Sequence, residues 1–101
     1  MYNKLVRDKI PQVIKDEKRK PVFYVAAEAE FKPLILNKLI EEFEEFKATP
    51  NEEELADLLE VIEGIASAFH LDMKQVRLLQ AEKKAQRGGF EGRIVLEKVI
   101  E

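Results

Sequence analysis

Four carboxylates carry the clearest chemistry in this sequence: Glu42 and Glu45, then Glu54 and Asp57. Each pair is spaced i,i+3, which sets both members on one side of a helix. At about 100° per residue, Glu42 and Glu54 fall at the margins of the apolar stripes of their helices, with Glu45 and Asp57 just beyond. Glu41, Glu44, Glu60 and Glu63 are expected to point further outward. Carboxylates crowded together repel one another and favour protonation unless a cation intervenes. Mg²⁺ takes oxygen ligands, retains waters and bridges to substrate phosphates. A water deprotonated by the metal or by a spare carboxylate could then attack a phosphoanhydride. The same residues also read as a solvated acidic face. Glu is a good helix former, and Glu52 to Glu54 at a helix N-terminus complement the macrodipole whatever the function.

Basic residues gather elsewhere. Met73, Val76, Gln80, Lys83 and Arg87 form a helical stripe that begins apolar and ends cationic, with Lys84 beside it and Gly88-Gly89 following. Arg87 and Lys84, with Lys83, are candidates to grip phosphate, Arg through its bidentate fork. Cations at a helix C-terminus also simply stabilise the dipole, and Gly is a stop signal. Lys4, Arg7 and Lys9 pose the same choice, with a disordered or oligomer-contacting arm as the other reading. His70 has no second His and no Cys to join it in a zinc site, so it reads as a helix-terminal or packing residue. Ser67 has no evident partner for a nucleophilic triad.

The elements that must position these groups are mostly helices. Residues 8 to 18 suit a short helix with Asp8 as N-cap and Pro11 in the first turn. Val22 to Val25 reads as a short strand. Ile35, Leu36, Leu39, Ile40, Phe43 and Phe46 give helical periodicity over 28 to 48, with Pro33 arguing for a start near Phe31. Thr49, Pro50 and Glu52 end that helix and cap the next. Leu55, Leu58, Leu59, Ile62, Ile65, Ala66 and Phe69 then trace a long apolar stripe. So short a connection makes the two helices antiparallel neighbours. Asp72 with Gln75 opens a further helix to about Arg87, and residues 93 to 99 suit a terminal strand pairing with 22 to 25. The expectation is a mainly α antiparallel helical bundle with a short two-stranded sheet, residues 1 to 101 forming a single domain.

Composition agrees. At 101 residues, 46% hydrophobic and 37% charged, the chain suits a folded helical protein rather than a disordered one. A chain this small gains from association, so a homodimer or higher oligomer is expected. The net charge of −3 argues against nucleic acid as a partner. The N-terminus lacks the apolar core of a signal peptide and no apolar run approaches membrane-spanning length, so the cytoplasm is the expected compartment and no membrane partner is foreseen.

Taken in order, Glu42-Phe43-Glu44-Glu45 and Glu54-Leu55-Ala56-Asp57 resemble the E-x-x-E and E-x-x-D signature of the all-α nucleotide pyrophosphohydrolase superfamily. That superfamily includes MazG-like proteins, dimeric dUTPases and phosphoribosyl-ATP pyrophosphohydrolases. The stretches Tyr2-Asn3-Lys4-Leu5-Val6-Arg7-Asp8-Lys9-Ile10-Pro11 and Lys84-Ala85-Gln86-Arg87-Gly88-Gly89-Phe90 are similar to a compact MazG-like group. The resemblance implies an oligomeric α-helical enzyme with Mg²⁺ (or Mn²⁺) on Glu42, Glu45, Glu54 and Asp57, and with Glu41 as an acidic neighbour. It implies hydrolysis of a nucleoside triphosphate between the α and β phosphates to monophosphate and pyrophosphate, with clearance of non-standard nucleotides as one such role. The gap between the two motifs is shorter than in many relatives, which draws the carboxylates toward one end of the helix pair. Two other readings stand beside it: a non-catalytic helical module that binds a nucleotide or a protein, and a phosphoribosyl-ATP pyrophosphohydrolase.

Overall fold

Helices are the only regular elements in the computed structural model, which describes residues 4 to 101. The helices are α1 (Ile10–Asp16), α2 (Glu28–Ala48), α3 (Glu52–Ala68) and α4 (Met73–Arg87). The chain divides into two compact units, Met1–Leu71 and Asp72–Glu101. Tyr2 and Asn3 of the N-terminal motif lie outside the described residues.

In the first unit α2 and α3 pack on each other. Ile35, Val61 and Ala68 form the buried centre, and Leu5, Phe31, Leu39 and Ile65 close around it. Gly64 allows the approach: a Cβ there would stand 2.9 Å from Ile35 Cδ1. Pro33 lies inside α2, although its missing N–H weakens a helix interior. The turn before it is held by tertiary contacts, since Phe31 packs on the core and the Glu28 carboxylate pairs with the His70 ring. That is why the helix begins at Glu28 rather than near Phe31.

Caps set the helix ends. Asn51, rather than Thr49, caps α3, its side chain accepting a 2.8 Å bond from the Glu54 N–H. Thr49 instead terminates α2. Lys9, not Asp8, occupies the cap position of α1, without a side-chain bond. His70 ends α3 in the left-handed region (φ 56°). Its N–H reaches Ser67 O and the Leu71 N–H reaches Ala66 O, a Schellman closure. Lys18 closes α1 the same way at φ 61°: its N–H reaches Lys15 O and the Arg19 N–H reaches Ile14 O.

The expected two-stranded sheet is absent: among the described residues neither 22 to 25 nor 93 to 99 forms a strand. Val22, Val25 and Ile94 are each at least 90% exposed. β-branched content favours an extended chain locally, but a two-stranded ribbon with no face to bury is marginal in water. In the second unit, the Asp72 side chain caps α4 by accepting from the Lys74 N–H. Gly88, at φ 84°, stops the helix. No residue of α4 is buried.

Candidate metal and phosphate site

Glu42 is the hinge of the candidate site. It is a charged residue on α2 that is only 7% exposed, whereas the other buried residues among those described are apolar. Helical spacing sets it on the side of Leu39 and Phe46, which are partly buried, and packing against α3 completes its burial. Ligand atoms of Glu42, Glu54 and Asp57 lie within 4.8 Å of one another, and so do those of Glu41, Glu42 and Glu45. Glu42 belongs to both groups. The four carboxylates of the sequence motifs are therefore gathered about one buried side chain.

The electrostatics are those of a site short of positive charge. Burial, then the charge of Glu45, pushes the Glu42 carboxyl above its ordinary value, and Asp57 adds to this while Lys38 offsets it in part. Burial, then Asp57 and Glu42, raises Glu54 as well. Oε2 of Glu42 and Oε2 of Glu54 are both buried without a hydrogen-bond partner. Buried carboxylate oxygens without donors are unfavourable unless a cation or a proton meets them. The donor set is entirely carboxylate oxygen, which fits Mg²⁺ or Mn²⁺ and suits softer metals poorly.

Three cations reach the same carboxylates. Lys38 Nζ donates to Glu41 Oε1 at 3.2 Å and stands 3.4 Å from Glu42 Oε1. Lys4 Nζ donates to Glu41 Oε1 at 3.1 Å. Arg7 Nη2 donates to Asp57 Oδ1 at 2.7 Å. Partial burial pushes Glu41 upward, but the bonds from Lys4 and Lys38 outweigh it and hold that carboxyl below its ordinary value. Glu41 thus turns toward the site rather than outward. Glu60 is exposed, as expected, at the adjoining cleft.

That cleft, about 300 Å³, has apolar Leu5 and Phe31 in its wall beside charged Arg7, Lys38, Glu42 and Asp57. It approaches the size of small-ligand sites, and it has their mixture of apolar wall and few polar groups. Lys38 was legible from its i,i+3 and i,i+4 spacing to Glu41 and Glu42. Arg7 and Asp57 are 50 residues apart, and no local pattern joins them. The other phosphate candidates, Lys83, Lys84 and Arg87, stand exposed on the last turns of α4, in the second unit. His70 is a helix-terminal residue, as its isolation in the sequence indicated. Comparison with protein-family models, with curated proteins and with solved structures returns no match.

Proposed function

We propose that this protein is a Mg²⁺-dependent nucleoside triphosphate pyrophosphohydrolase of the MazG-like type, built as an antiparallel helical bundle and working in the cytoplasm. The observation that carries the reading is the buried Glu42, which has one oxygen without a partner and belongs to both carboxylate groups. Glu42, Glu45, Glu54 and Asp57 would hold the ion, Mn²⁺ substituting for Mg²⁺. When bound, it would polarise the phosphates and acidify a water. A carboxylate left unengaged accepts that water's proton as the α–β phosphoanhydride breaks and pyrophosphate leaves. The cleft beside the carboxylates offers Phe31 and Leu5 to the nucleoside part of the substrate. Lys84 and Arg87, with Lys83, are assigned to phosphate on their sequence motif, and Lys84→Ala with Arg87→Ala should raise KM.

A second copy of the chain is the partner that best suits the apolar side chains left in water on α2 and α3. Ile40, Phe43, Leu55 and Leu59 are each at least half exposed. A second copy would take these side chains out of water. Light scattering on the eluting protein should report a dimer or larger assembly.

The test of the reaction is a panel of nucleoside triphosphates with and without Mg²⁺. Pyrophosphate and monophosphate should form from at least one, and EDTA should stop it. No pyrophosphate from any substrate, or turnover indifferent to EDTA, would overturn the reading. One observation favours the non-catalytic module instead: Lys4, Arg7 and Lys38 already neutralise part of the acidic cluster. That reading expects binding without product and full function after the carboxylates are neutralised.

A further inference from the structure

We propose that Arg7 is a phosphate-binding cation of the cleft, held on Asp57 until a divalent ion takes its place. The inference rests on the metal-dependent reading above and deepens it. Glu41, Glu45, Glu54 and Asp57 gather about Glu42, and Lys4, Arg7 and Lys38 pair with members of this cluster. The orphaned oxygens of Glu42 and Glu54 mark where coordination is missing. Asp57 belongs to that same trio, so an ion bound there competes directly with the guanidinium for Asp57.

Arg7 is built to be displaced. Its side chain is 56% exposed, and it touches Asp57 through one nitrogen, although a guanidinium carries five donors. The contact is a single bond rather than the paired fork that locks Arg to a carboxylate. Lys38 is the contrast: its side chain is 17% exposed and it sits between Glu41 and Glu42 on its own helix. Once freed, Arg7 remains in the wall of the cleft shared with Glu42 and Asp57. A polyphosphate bridging to the ion would meet it there, and its planar fork matches phosphate oxygens.

Calorimetric titration of the full-length chain separates the two parts of the proposal. With Mg²⁺ alone, Arg7→Gln should bind the ion at least about threefold more tightly than the wild type, because the competitor is gone. With inorganic tripolyphosphate in saturating Mg²⁺, Arg7→Gln should bind about tenfold more weakly, and Arg7→Lys should recover part of the loss. Arg19→Gln removes the same charge from a residue paired with Glu17, and should change neither affinity. Equal or weaker Mg²⁺ binding by Arg7→Gln would overturn the displacement. Unchanged tripolyphosphate binding would overturn the phosphate role. If Arg7→Gln does not fold, Arg7→Lys decides alone: its shorter, forkless cation should release Asp57 more readily and still bind tripolyphosphate less well, and wild-type values for both would end the proposal. A wild type that binds no Mg²⁺ ends this inference and the proposed function together. A wild type that binds Mg²⁺ but cleaves no nucleotide ends only the proposed reaction.

Discussion

Helices α3 and α4 start alike and end in different states. Each opens on an Asx side chain that accepts a backbone N–H, Asn51 for α3 and Asp72 for α4. The stripe of α3 is apolar throughout, whereas that of α4 begins apolar at Met73 and ends cationic at Arg87. Helix α3 buries Val61, Ala66 and Ala68, and α4 buries nothing. Val61 and Ala68 meet Ile35 of α2, and the Glu54 and Asp57 carboxylates of α3 meet Glu42 there. Capping and periodicity are enough to make a helix. A partner helix is needed before the helix can hold a core, and before paired carboxylates can become a site.

The comparison breaks most sharply on activity. Glu42→Gln and Asp57→Asn should each lower kcat/KM for the nucleotide substrate by roughly 100-fold or more while the helical CD signal stays intact. Retained turnover would reduce the α2–α3 carboxylates to an acidic surface no more functional than the exposed charges of α4.

Packing comes next. Ile35→Ala should destabilise the protein by about 2–4 kcal/mol in urea unfolding, since the side chain is 5% exposed and lies at the centre of a small core. Leu78→Ala on α4, where Leu78 is 58% exposed, should cost less than about 0.5 kcal/mol. A loss at Leu78 comparable to that at Ile35 would show that α4 is covered in the working assembly, and the contrast between the helices would disappear.

Acid and metal dependence sharpens the contrast further. Glu42 is raised above 4.5 by burial, so between 4.5 and its native value the folded chain binds more protons than the unfolded one. Its contribution to stability is therefore full at low pH and is lost as pH rises through that window. Glu28 and Glu41 act in the opposite sense: their lowered values give stability that is present above 4.5 and lost on acidification. Mg²⁺ at 100 times its Kd should stabilise the chain near neutral pH by about 2.7 kcal/mol. The gain should shrink toward pH ~4, where protons compete for the same oxygens. Thermal melts with and without Mg²⁺ at the two pH values measure both effects. A melting temperature indifferent to Mg²⁺ would remove the metal from the site.

The smallest expected effects lie at the caps, where the two helices should behave alike. Asn51→Ala and Asp72→Ala should each cost about 1 kcal/mol in chemical denaturation. A much larger loss at Asn51 would mean that the cap also holds the approach of Glu54 to Glu42.

Local chemistry decided a good deal of this protein. The body of α2 follows from an apolar stripe running from Ile35 to Phe46, and the stop at Gly88 from a residue free to take positive φ. The pairs Glu42 with Glu45 and Glu54 with Asp57 were legible because i,i+3 spacing fixes a shared side within one helix. Lys38 could be read in the same way from its spacing to Glu41 and Glu42. The segments 22 to 25 and 93 to 99 mark the limit of such reading. Their β-branched and aromatic residues describe how a strand would look, but a strand exists only when another backbone accepts its hydrogen bonds. Tertiary structure alone decided that Glu42 is buried, that Pro33 is carried inside α2 by the contacts of Phe31 and Glu28, and that Arg7 reaches Asp57. Each depends on groups far apart in the chain, where no periodicity operates and only the packing of α2 against α3 fixes the distance.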